Sequence, residues 1–226
     1  MKPPDNPVWQ ALSSNQSHFN IGGSMLKFFP KNVSPFAGMP YWDERDLPLL
    51  MQHLPSNRPF SVMIARQVQL PEDLEIVFTC PLYQMCCLNP VLYSNPGLNI
   101  RTLGYEDVNQ MLELTNITKP GPFLEKTIDM GRYYGIFENG KLVSMAGERL
   151  RPDGFIEISA ICTDPSHLGK GYASVLTSYV TQTISASGNI PFLHVKTDNL
   201  RAIEVYRRAG FEIRTEMYFA IFKKRE

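Results

Sequence analysis

The chain has 226 residues in which 22 basic side chains balance 22 acidic ones, so no overall field draws it to nucleic acid or an anionic membrane. Its length suits one large domain or two small ones with a proper apolar core. No run nears the roughly 18 apolar residues of a membrane helix, and the prolines and Asp5 of "MKPPDNPVWQALSS" stand where a signal peptide needs an apolar stretch.

Cys80, Cys86, Cys87 and Cys162 lack a metal spacing, as do His18, His53 and His167. Reduced thiols, a cytoplasmic location and no metal are therefore expected. In chain order, "RDLPLLMQHL" reads as a short helix interrupted by Pro48, and "PFSVMIA" and "LEIVFTCPLY" as strands. Pro90, Pro96 and Gly97 mark a boundary near residue 97. "YEDVNQMLELTN" has the pattern of an amphipathic helix, and the Pro/Gly loop "TKPGPF" (118–123) follows.

Two strands flank Asn139-Gly140, a hairpin turn pair, and "RPDG" turns the chain into the strand "FIEISAICT", Phe155 to Thr163. Beyond the loop "DPSHLGKGYAS", Ala173, Leu176, Tyr179, Val180, Thr183 and Ile184 recur at helical spacing up to Gly188. "PFLHVKT" is another strand. Asp198 or Asn199 caps the helix "LRAIEVYRRA", Gly210 ends it, and "MYFAIF" closes as a strand. This order implies a mixed α/β fold with a mostly antiparallel central sheet flanked by helices.

Glycines ahead of a helix let backbone N–H groups close on an anion. A Walker loop would need a glycine five residues before Gly169 and Ser or Thr after Gly169-Lys170, where Gly171 stands. A dinucleotide fingerprint would need glycine at Ser174. Neither fits.

The stretch Leu168-Gly169-Lys170-Gly171-Tyr172-Ala173 instead resembles Gln/Arg-x-x-Gly-x-Gly/Ala, the acetyl-CoA signature of the GCN5-related N-acetyltransferases (GNAT). Leu168 departs from the signature's polar residue, although a main-chain cradle needs no side chain there. A second motif, "NLRAIEVYRRAGF", is similar to that family's Asn-x-x-Ala-x-x-x-Tyr-x-x-x-Gly-Phe, with Asn199, Ala202, Tyr206, Gly210 and Phe211 in place. The resemblance covers residues 98–226 and is nearest to an FR47-like bacterial branch. Residues 1–97 form an added, smaller α/β region, readable as a degenerate second copy of the same fold.

The resemblance implies the acyl-CoA N-acyltransferase fold and acetyl-CoA as co-substrate. It places Ile161, Cys162 and Thr163 on the pantetheine arm between splayed strands, Leu168, Gly169, Lys170, Gly171, Tyr172, Ala173 and Ser174 at the pyrophosphate, and Asn199, Ala202 and Tyr206 beside them. Tyr206 falls on the family's general-acid position, and a phenol with a pKa near ~10 keeps its proton at neutral pH. A core tyrosine is the structural alternative. Glu157 matches the base of the histone-acetylating branch. A salt-bridged strand glutamate is its alternative, Glu148 and His194 are weaker bases, and water can also take the amine proton. Strand alternation puts Glu157, Ser159, Ile161 and Thr163 on one face unless a bulge intervenes.

"TKPGPF" either lines the acceptor pocket or simply connects. The implied function is acetyl transfer to a primary amine of a small molecule or peptide by direct attack on the thioester. A longer acyl-CoA donor, or a CoA-binding module without turnover, stands behind it.

Overall fold

The computed structural model describes residues 4–43, 59–65, 72–92 and 97–225. The helix expected at "RDLPLLMQHL" lies outside the described residues. The strongest turn signal in the sequence forms as its chemistry demands. Asn139 (φ 51°) and Gly140 (φ 78°) both take left-handed conformations and join β6 (Tyr133–Glu138) to β7 (Lys141–Glu148). The turn at Gly154 (φ 77°) then leads β7 into β8 (Phe155–Thr163). On the far side of β6 lies β5 (Ile100–Leu103).

From β8 the chain rises through α3 (Tyr172–Ala186) and returns as β9 (Ile190–Lys196), parallel to β8. Next come α4 (Leu200–Arg208) and β10 (Glu212–Lys224). Gly210 (φ 95°) ends α4, with the N–H of Phe211 donating to the Tyr206 carbonyl. The earlier strands β3 (Phe60–Ile64) and β4 (Leu74–Cys86) join the same sheet, whose order is β3-β10-β4-β9-β8-β7-β6-β5. Residues on both sides of position 97 thus share one eight-stranded, mostly antiparallel sheet. A small two-stranded sheet, β1 (Lys27–Phe28) with β2 (Ala37–Gly38), adjoins its β3 edge through a bridge between Phe36 and Ser61.

The sheet is covered on both faces. Against one, α3 and α4 bury Leu176, Val180, Ile184 and Ile203 on Ile156, Ile158, Leu193 and Val195. The buried stripe of α3 is rotated from the expected one: Thr177 and Thr181 are buried, while Tyr179 is 40% exposed and sets its ring edge-on to Tyr134. The Thr181 hydroxyl donates to the Thr177 carbonyl, which lets a polar residue sit in this core. Against the other face, α1 (Pro7–Ser13) and the segment after it pack Leu12, Phe29 and Phe36 on Met63, Leu82 and Phe192. Beside them α2 (Val108–Thr118) covers β7 and β8 through Met111 and Leu114. No helix of the described residues is long and apolar enough to cross a membrane.

Candidate active site

The parallel pairing of β8 and β9 is short. It covers Phe155↔Ile190, Ile156↔Pro191 and Glu157↔Phe192, and beyond those the strands part. β9 goes on pairing with β4 up to Lys196, while β8 goes on pairing with β7. The cause on the β8 side is a bulge. Gly147 pairs with Ser159 but Met145 pairs with Cys162, one residue out of step, and Ala160 takes φ 52° to absorb it. A bulged strand bends, and an alanine in the left-handed region is held there only by its surroundings.

The bulge also corrects the expected face. Glu157 turns toward Arg149 and His194, but Ile161 packs with Ile158 in the core beneath α3, while Ala160 and Cys162 take the opposite side. Glu157 and Ile161 therefore do not share a face.

A cleft of about 910 Å³ passes through the gap. On the α3/α4 side Leu168, Asn199 and Tyr206 line it, the bulged residues 158–163 form its waist, and on the other side it reaches Phe36, Phe78 and Phe219. The "TKPGPF" loop forms part of the wall on that second side.

The glycine loop is open as a backbone site. Gly169 (φ 86°) and Gly171 (φ 80°) both occupy conformations that favour glycine, and a Cβ on Gly169 would meet nothing within 4 Å. The first helical bond of α3 runs from the N–H of Val175 to the Gly171 carbonyl. The N–H groups of Tyr172, Ala173 and Ser174 are left without helical acceptors, at the positive end of the helix. The Lys170 side chain is already engaged: its Nζ donates to Glu138 at 2.8 and 3.0 Å, and the Tyr172 hydroxyl donates to the same carboxylate. Leu168 is half exposed at the mouth of the cleft. Asn199 is the cap of α4, its Oδ1 accepting from the N–H of Ala202 at 3.1 Å.

Tyr206 is buried in the core beneath α4, 6.3 Å edge-on from Phe211, and borders the cleft. Its hydroxyl makes no hydrogen bond to a described residue. Burial, and after it the neighbouring Cys162 thiol, pushes the phenol above its ordinary value. Burial likewise pushes Cys162 itself up to about 12, so both groups stay protonated.

Glu157 sits in a closed arrangement. Arg149 Nε and Nη2 donate to its two oxygens at 2.8 and 2.7 Å, His194 Nδ1 donates at 2.6 Å, and the Leu150 N–H adds a longer bond at 3.4 Å. Burial alone would raise its pKa, but the Arg149 charge and hydrogen bonds, helped by His194, hold the carboxyl at about 2. His194 is fixed in turn. Gln84 accepts from Arg214 Nε through Oε1, so the Gln84 amide N–H donates both to the Pro4 carbonyl and to His194 Nε2, 3.1 Å away. The imidazole therefore carries its proton on Nδ1 and has its other nitrogen occupied. Glu148 is also fully buried and bound by Arg132 at 2.9 Å. None of the three expected bases offers a free lone pair to the cleft. No group of His, Cys, Asp or Glu among the described residues could hold a metal.

Arg149 and the aromatic side chains of the N-terminal segment escape a reading of the sequence alone. For Arg149 a signal exists. Residue 149 lies just before the "RPDG" turn and 157 just after it. Counting outward sets 149 one residue from 157, and the chain forms the backbone bonds Arg149 N–H to the Glu157 carbonyl and Glu157 N–H to the Leu150 carbonyl. Phe36 and Phe78 carry no motif. The packing of the first segment on the sheet brings Phe36 to the cleft, and the long-range pairing of β4 with β10 brings Phe78.

The family model described as FR47-like protein matches residues 133–220. A crystal structure described as a GNAT-family acetyltransferase from Novosphingobium aromaticivorans is 31% identical over the whole of both chains, with a TM-score of 0.91. The chain belongs to the GCN5-related N-acetyltransferase family. A GCN5-related N-acetyltransferase from Kribbella flavida shares the fold at 16% identity, with a TM-score of 0.70 over 100% of this chain and 97% of that one. No curated protein matches. Because the Novosphingobium match runs end to end, the N-terminal segment of this acetyltransferase is part of a shared architecture.

Proposed function

We propose that this enzyme transfers an acetyl group from acetyl-CoA to the primary amine of a small molecule or peptide, the amine attacking the thioester directly. The observation that carries the reading is the gap opened between β8 and β9 beside a loop of unpaired N–H groups. The residues fit the co-substrate. Backbone groups of Ile161, Cys162 and Thr163 border the gap and suit the amide-bearing pantetheine arm. The N–H groups from Lys170 to Ser174 suit the pyrophosphate. Acetyl-CoA supplies the activated acyl group. Tyr206, protonated and without a hydrogen-bond partner among the described residues, donates a proton to the departing thiolate.

Glu157 has every acceptor position filled, so water in the cleft takes the amine proton, and Glu157 instead holds Arg149 and His194 in place. Residues 1–97 act as the wall of the acceptor side. The four free thiols suit the reducing cytoplasm.

Acetyl-CoA at 100 times its dissociation constant should add about 2.7 kcal/mol of stability, raising the melting temperature by roughly 5–10 °C. NADH and ATP should shift it less. The deciding assay combines such melts with the release of free CoA across a panel of amines. No shift with millimolar acetyl-CoA would overturn the donor assignment. A shift without CoA release from any amine would favour a binding module, and faster release from longer acyl-CoA thioesters would change the donor.

Gly171→Val tests the phosphate loop. At φ 80° a β-branched residue is strained, so the protein itself should lose about 1–3 kcal/mol, and acetyl-CoA should bind at least about tenfold more weakly because the side chain obstructs the backbone approach. Calorimetric titration that finds unaltered affinity in the folded variant would remove this loop from the pyrophosphate site.

A further inference from the structure

The acceptor side of the cleft has an unusual charge pattern for a site that binds amines. Among the described residues that line it there is no Asp or Glu, whereas Lys119, Arg149 and Lys196 all do. A polyamine, an aminoglycoside or a basic peptide would bring more positive charge to this wall and find no carboxylate to meet it.

Arg149 is the only one of the three that is buried, and its pose is fixed. Nε and Nη2 are spent on Glu157, and the guanidinium lies 5.0 Å over the Phe36 ring. Its remaining nitrogen, Nη1, has no partner among the described residues, and it points at the 119–122 loop, 3.9 Å from where a Cβ on Gly121 would stand. A rigid guanidinium with one edge held by a carboxylate and three of its five N–H groups unspent on that carboxylate is a recognition element for an oxyanion.

Its position limits how far that anion can lie from the reacting nitrogen. Glu157 is at the last β8–β9 pair, so the Arg149 edge sits at the apex of the gap. The residues assigned to the acyl arm, Ile161 to Thr163, begin four positions further along the same strand, roughly 13 Å at ~3.3 Å per residue. An acceptor that meets both carries its acid group and its amine on one small molecule. Below this apex the floor is apolar and aromatic, built by Phe36, Met63, Phe78, Leu82 and Phe219.

Resting on the acetyltransfer reading above, we infer that the acceptor is an amino acid with a large apolar or aromatic side chain, its carboxylate bound by Arg149. Lys119 and Lys196 supply a positive rim that favours the anion, and the aromatic floor takes the side chain. Arg149 is a binding residue for the acceptor and takes no part in proton transfer.

The experiment compares matched pairs on the full-length protein with acetyl-CoA: L-phenylalanine against phenethylamine, and L-leucine against isoamylamine, with spermidine as a polycation. The expected result is a kcat/KM about a hundredfold higher for each amino acid than for its decarboxylated partner, the scale of one charged hydrogen-bonding contact. Equal or better use of the plain amines, or of spermidine, would overturn the inference.

A binding arm uses products in the presence of CoA: N-acetyl-phenylalanine should raise the melting temperature and N-acetyl-phenethylamine should not. Failure of the acid to shift the melt also overturns the inference, whereas failure of acetyl-CoA itself to bind overturns the donor reading instead. The double variant Arg149→Met/Glu157→Gln removes both buried charges together and leaves an acceptor for His194 Nδ1. It should lose the preference for the carboxylate while still binding acetyl-CoA; a retained preference would assign the anion to another group.

Discussion

Tyr206→Phe should lower kcat by about a hundredfold, the low end of general acid–base contributions, and leave acetyl-CoA affinity nearly unchanged. The ring keeps its place under α4 and its edge contact with Phe211, so packing is preserved. The hydroxyl has no hydrogen bond to a described residue to lose, so the melting temperature should stay close to that of the wild type. What disappears is the proton beside the cleft. Water in the same space can replace it in part, which keeps the effect at the low end. The sign of the pH dependence follows from burial. Because the phenol is pushed above its ordinary value of 10, the wild type should show no alkaline loss of activity from this group below that pH. Turnover must be measured on an acceptor for which chemistry limits the rate. An unchanged kcat there would leave Tyr206 a packing residue and make the thiolate depart without its proton.

The sequence was most legible where local chemistry and global fold make the same demand. Asn139-Gly140 can form only a tight turn with both residues left-handed, and Gly169, Gly171 and Gly210 all take the positive φ their motifs require. Asn199 caps α4 for the same local reason. The second half of the chain could be read in order because its strands and helices alternate with such signals.

The first half could not be read so well. β3 and β4 were visible as apolar runs, but their place on either side of β10 depends on long-range pairing that no local pattern encodes. The site divides in the same way. The glycine loop and Tyr206 lie in contiguous motifs. The bulge at Ala160 is carried by an ordinary alanine, and it alone decides which face Ile161 takes. Glu157 was legible as a strand glutamate of importance. Its partners were not, because a buried carboxylate facing Arg149 and His194 looks the same in sequence as one facing solvent or an amine.

That closed arrangement leads to the largest effect expected on stability. Arg149→Met removes a guanidinium that gives two hydrogen bonds to a fully buried carboxylate. Stranding one member of a buried pair typically costs about 3–5 kcal/mol, a large part of the roughly 5–15 kcal/mol that holds a domain together. The pH dependence of the loss separates this cause from poor packing.

In the wild type Glu157 is held at about 2, below its ordinary 4.5. It therefore contributes stability that is present above about 4.5 and lost as pH falls toward 2. In Arg149→Met the guanidinium is gone and burial outweighs the His194 hydrogen bond that remains, so the carboxyl rises well above its wild-type value. The variant is then penalised for burying an anion at neutral pH and relieved as the group protonates. Urea unfolding at pH 7 and pH 4 should show the deficit against wild type shrinking at the lower pH. Adding Glu157→Gln to Arg149→Met should restore much of the loss at pH 7, since no unpaired charge remains and His194 keeps an acceptor. A deficit of equal size at both pH values, or one that the second substitution deepens, would mean that the ion pair is not what holds this corner of the sheet, and that the shorter, uncharged side chain put in place of Arg149 simply packs badly against Phe36.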